Sequence, residues 1–83
     1  MYKVAFEQEA QKEFLKLDKK GQEIVGNKIR DLEKGVFISD KPLKGRHKGK
    51  FRKIAADYRI IYLKENQLIL ITIVRIAHRK EAY

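Results

Sequence analysis

The run Leu68-Ile69-Leu70-Ile71-Thr72-Ile73-Val74 constrains this fold more than any other stretch of the chain. Seven residues suit a strand and fall far short of a bilayer span. The run is apolar on both faces, so it predicts a central strand covered on at least one side. The first half of the chain offers that cover. From about Gln8 to Leu17, Ala10, Phe14 and Leu17 recur at helical spacing, with Lys12, Glu13 and Lys16 off that face. From about Gly21 to Lys34, Ile24, Val25, Lys28, Ile29 and Leu32 form a second helical stripe, and Gly35 is a stop signal. Gly26 weakens that helix or lets another element approach closely. The short link Asp18-Lys19-Lys20-Gly21 predicts an antiparallel helix hairpin.

Strands supply the remainder. Tyr2–Phe6 alternates and reads as a first strand. Residues 35–49, rich in Gly and Lys, read as a connection. Phe51–Ala55, Tyr58–Lys64 and Gln67–Ile76 then read as three strands, with Ala56-Asp57 and Glu65-Asn66 at tight turns. The expectation is an α+β fold, β-α-α-β-β-β, a mainly antiparallel sheet with a two-helix hairpin on one face. All 83 residues fit one domain. The chain has no cysteine, which rules out disulfides and thiolate metal sites. That composition suits a reducing cytoplasm. The opening MYKVAF lacks a signal-peptide pattern, so a cytoplasmic protein without membrane association is expected.

Charge divides the chain. Residues 1–40 hold eight Lys/Arg and eight Asp/Glu. Residues 41–83 hold twelve and three, the whole net charge of +9. A one-sided basic field concentrates phosphate ligands. In Lys41–Lys53, seven of thirteen residues are Lys or Arg and none is acidic. Lys41, Lys44, Arg46, Lys48 and Lys53 are the candidate RNA-binding residues there, and Gly45 and Gly49 let backbone approach a ligand. The rival reading is a solvated loop whose charges discourage aggregation at a sheet edge. With helices on one face, the other is left open for Arg52, Arg59, Arg75 and Arg79, a surface suited to phosphates.

The pattern PLKG…GKFRKI…DYRIIY…HRKEAY, behind a Tyr-Lys-Val-x-Phe strand and two Lys-rich helices, resembles the RelE/ParE superfamily of microbial toxins along essentially the whole chain. The resemblance implies a microbial-ribonuclease-like fold and cleavage of mRNA in the ribosomal A site. It implies a cognate acidic antitoxin as partner, with operator DNA reached only through the toxin–antitoxin complex. It assigns Arg59 to the scissile phosphate, Arg79 to transition-state stabilisation and Tyr83 to stacking on the RNA. Lys50 and Arg52 fall where the family has its catalytic basic pair, and His78 where many members carry His or Lys. The sequence departs from the family at Ala55-Ala56, where an arginine is usual. A one-residue slip there decides whether Arg52 or Lys53 faces the RNA, with Lys50 and Arg52 preferred.

The chemistry asks for the same residue types. Two arginines can clamp one phosphate and hold its developing charge. No metal or other cofactor is required, and no carboxylate cluster could hold one. The proton acceptor stays open between His78, whose imidazole suits transfer near neutrality, Lys50 and, third, His47. His78 can equally make a structural hydrogen bond. Arg75 can equally pair with an acid from a helix, and Tyr58 and Tyr62 read as packing residues. Two alternatives stand beside the endoribonuclease. One is a ParE-type gyrase inhibitor, a branch that generally lacks this basic set. The other is a non-catalytic RNA-binding or partner-binding module.

Overall fold

A computed structural model describes residues 1–81. Strand β1 (Lys3–Phe6) leads into helices α1 (Gln8–Lys16) and α2 (Lys19–Glu33). Strands β2 (Lys41–Pro42), β3 (Phe51–Ala55), β4 (Tyr58–Glu65) and β5 (Leu70–His78) follow. The five strands form one sheet in the order β1-β5-β4-β3-β2. Only β1 and β5 run parallel; the other neighbours are antiparallel. This is the α+β layout expected, with the apolar run inside the sheet between β1 and β4.

The helices cover one face. Ala10 of α1 and Val25, Ile29 and Leu32 of α2 share a core with Ile60, Tyr62, Ile71, Ile73 and Ile76. The α2 stripe is tighter than the sequence pattern, since Lys28 is exposed and Gly21 is buried. Helix α2 begins at Lys19 because Asp18 caps it, accepting from the Gly21 amide at 2.7 Å. Gly21 is required there: a Cβ would lie 2.8 Å from the Tyr58 hydroxyl. No helix among the described residues is long and apolar enough to cross a membrane.

The last strand and the connection before β3 differ most from the sequence reading. The last strand starts at Leu70 and continues to His78, rather than spanning Gln67–Ile76. Asn66–Leu68 form a 3-10 turn, and Ile69 takes a left-handed conformation at φ 50°. The turn consumes the start of the apolar run, leaving Leu68 and Ile69 exposed. The connection 35–49 is also more ordered than expected. It contains β2 and a 3-10 turn at Gly45–His47.

A β-bulge sets the phase of β5. Ile61 pairs with Arg75, but its neighbour Tyr62 pairs with Ile73, so Val74 is the extra residue. Before the bulge, Ile71 and Ile73 face the helices; after it, Ile76 does. The odd and even positions therefore exchange faces at Val74.

Candidate RNA-binding face

Cross-strand registers define the uncovered face row by row. Lys41, Arg52, Ile61 and Arg75 form one row across β2, β3, β4 and β5. Ile54, Arg59 and Ala77 form the next. Arg52 and Arg59 are diagonal neighbours on adjacent strands, a separation of about 7–8 Å between backbones. Ile61 is fully buried yet lies outside the helix-side core. Arg52 and Arg75 flank it, and long side chains of this kind cover apolar surface with their stems. The Nε of Arg52 is buried and has no hydrogen-bond partner among the described residues.

Beyond the end of β5, Arg79 opens a 3-10 turn beside Asp57. Its amide donates to the Asp57 carbonyl at 2.7 Å, and its Nε lies 3.7 Å from the Asp57 carboxylate. Both side chains are well exposed, so the pair is screened and leaves Arg79 accessible. Asp57 sits at the β3–β4 turn, where Ala56 takes φ 54°. Lys50 lies just before β3, in phase with Arg52, and its carbonyl accepts from the Leu43 amide.

The placement of three candidates bears on their roles. Lys53 does not face this surface. It points to the helix side, 4% exposed, with its Nζ 3.0 Å from Asp40 Oδ1. The physical reason is the pleat: Arg52 and Lys53 are adjacent, so only one can take each face. His78 is also on the helix side. It pairs with Tyr58, their rings meet edge-on at 5.4 Å, and it borders two cavities of about 280 and 290 Å³ near Tyr58 and Ile76. It is therefore not beside the Arg59 side chain. Arg75 reaches the uncovered face but is engaged at the sheet edge. Glu13 of α1 accepts from Arg75 Nε and Nη2 at 2.9 and 2.6 Å, and from the Ile76 amide at 2.8 Å. Strand β1 ends opposite Ile73, so Glu13 satisfies the backbone edge where pairing stops.

The remaining candidates have simple placements. Lys44, Arg46 and Lys48 are exposed on the loop between β2 and β3. His47 is half-buried in the same loop. Tyr83 lies outside the described residues. Among the described residues, no three His, Asp or Glu gather as metal ligands. Sequence reasoning missed Asp40. It accepts from Lys53 and from the Tyr62 hydroxyl, the latter at 2.6 Å. Burial above all, and then the bond to Asp40 and its charge, push the Tyr62 hydroxyl well above the ordinary range. No sequence spacing links Asp40 to Lys53 and Tyr62, because the sheet brings them together.

Comparison with known proteins gives a consistent answer. The model of a family described as the ParE toxin of the type II toxin–antitoxin system parDE matches residues 4–83. A chain of the RelBE2 toxin–antitoxin complex from Mycobacterium tuberculosis is 26% identical, with TM-score 0.81, covering 94% of this chain and 98% of that one. The isolated RelE toxin of E. coli shares the fold at 19% identity and TM-score 0.79, covering 94% and 84%. A metal-bound toxin from Helicobacter pylori does so at 20% identity and TM-score 0.83, with both chains fully covered. No protein of curated function matches the sequence.

Proposed function

The chain belongs to the ParE toxin family of type II toxin–antitoxin systems, within the RelE/ParE superfamily, and from that premise we propose that it is a ribosome-dependent endoribonuclease cleaving mRNA. The observation that carries this reading is the diagonal placement of Arg52 and Arg59 on the uncovered sheet face, with Arg79 at its rim. The half-buried Arg52 carries a guanidinium of the kind that binds phosphate oxygens in a forked pair.

In this mechanism the 2′-hydroxyl oxygen attacks the adjacent phosphorus. The new P–O2′ bond forms as the P–O5′ bond breaks, leaving a 2′,3′-cyclic phosphate and a 5′-hydroxyl. Arg59 and Arg79 hold the phosphate and its added charge. Arg52 and the exposed Lys41, Lys44, Arg46 and Lys48 hold the flanking phosphates. Lys50, in phase with Arg52, is the candidate acceptor of the 2′ proton on this face, and solvent supplies the proton to O5′. His78, turned to the helices, serves the strand end and Tyr58 instead. No step requires a metal. The chain would act in the cytoplasm. An acidic antitoxin would cover the basic face, and operator DNA would be reached only through that complex.

A second reading has its own support. The matching family description is ParE, the branch for which the resemblance read in the sequence implies gyrase inhibition. The two readings part cleanly in arrested cells. The endoribonuclease predicts mRNA cut within ribosome-protected codons and normal plasmid supercoiling. Intact mRNA with altered supercoiling would replace it with the gyrase reading.

A further inference from the structure

The Asp40–Lys53 pair is among the most buried polar features of the described residues, with side chains 4% and 5% exposed. Such a pair contributes little net stability compared with apolar residues of similar size, because both charges leave water. Its position is more telling. Asp40 immediately precedes β2, and Lys53 sits inside β3. Together they close the root of residues 41–52, which contain six Lys/Arg.

Little else closes that root. Strand β2 has two residues, one of them Pro42, which has no amide hydrogen to donate. Inside the loop, the Leu43 amide bonds to the Lys50 carbonyl at 2.9 Å. Asp40 is fixed twice more. Its Oδ2 accepts from the Tyr62 hydroxyl at 2.6 Å, and Phe37, three residues upstream, stacks on the Tyr62 ring at 6.2 Å.

We propose that Asp40, Lys53 and Tyr62 form a clasp that positions the basic loop for RNA, holding Lys41 beside Arg52 on the uncovered face. They are positioning residues: none faces the proposed RNA surface. Loop order established before binding lowers the entropy cost of capturing a flexible polyanion. The clasp rests on the RNA reading for its purpose but not for its existence.

The test replaces the cluster with apolar residues of similar size, Asp40→Leu/Lys53→Met/Tyr62→Phe. Three quantities are compared with wild type: the thermal midpoint, amide hydrogen exchange over 41–52, and affinity for a labelled single-stranded RNA 12-mer. The clasp predicts an unchanged or raised midpoint, exchange accelerated within 41–52, and RNA binding weakened about tenfold or more. Wild-type exchange in the loop together with wild-type RNA affinity would overturn it. If the triple replacement unfolds, Tyr62→Phe takes its place, since it removes one bond to Asp40 and leaves the ion pair. Faster exchange confined to 41–52 then supports the clasp, and unchanged exchange overturns it. Wild-type protein that fails to bind the RNA would remove the RNA reading alone, because the exchange data still judge the clasp.

Discussion

Ile69 occupies the left-handed region at φ 50°, an unfavourable place for a β-branched residue. Its side chain is 51% exposed, so little burial compensates the strain. Ile69→Gly should relieve about 1–2 kcal/mol of strain, offset by about 0.4–1 kcal/mol of added unfolded-chain entropy. A net gain of about 0.5 kcal/mol or more is expected in urea unfolding. Gly21→Ala runs the other way. The new Cβ would press on the Tyr58 hydroxyl and on the Asp18 cap, costing about 1–3 kcal/mol. Tyr62 gives a pH-dependent prediction. Folding raises its ionisation above the ordinary 10.0, so the folded state keeps it neutral while the unfolded chain ionises. Its contribution is present below pH 10 and is lost as the pH climbs further. Wild type should lose about 1.4 kcal/mol more per pH unit above 10 than Tyr62→Phe does, measured by urea unfolding. At this scale the sequence was least informative for Lys53. It looks like every other cation in its run, and only the pleat and the distant Asp40 distinguish it.

At the scale of elements, the bulge in β5 carries the most consequence. The extra residue Val74 exchanges the two faces of the strand. Were Val74 paired in regular alternation, the odd positions would stay on the helix side, turning Arg75 toward the core and His78 toward the arginines. The bulge thus puts His78 and Arg59 on opposite faces, and no sequence motif signals it. The turn at Asn66–Leu68 was hidden for a related reason, since an apolar run gives no punctuation where the strand begins. Strand β3, the Ala56-Asp57 turn and the helices were legible, because alternation, turn residues and helical spacing all agreed. Deleting Val74 should restore regular alternation with Ile73 and Ile76 still toward the helices and Arg75 still uncovered, so the variant should keep the wild-type far-UV circular dichroism. Glu13→Ala tests the sheet-edge cap. It leaves the Ile76 amide and Arg75 without their carboxylate, and a loss of about 1–3 kcal/mol is expected in denaturant unfolding.

Across the whole molecule, one sheet keeps two different surfaces. The helix-covered face is apolar apart from enclosed groups such as the Asp40 cluster. The uncovered face carries arginines around Ile61 and receives the basic loop at its edge. The charge asymmetry visible in the sequence foretold that division, and the registers identify which cations share a row. On the proposed reading, the loop serves long-range attraction and the arginines hold one phosphate. If so, RNA affinity should fall steeply between about 50 and 200 mM salt, as phosphate contacts dictate. On the proposed reading, Arg59 and Arg79 act on the scissile phosphate. Single-turnover cleavage of ribosome-bound mRNA by wild type, Arg59→Ala and Arg79→Ala tests it most directly, with circular dichroism verifying that each variant is folded. Cleavage should slow by about 10²–10³ in each variant with the cleavage positions unchanged; wild-type rates in both folded variants would show that neither arginine acts on that phosphate.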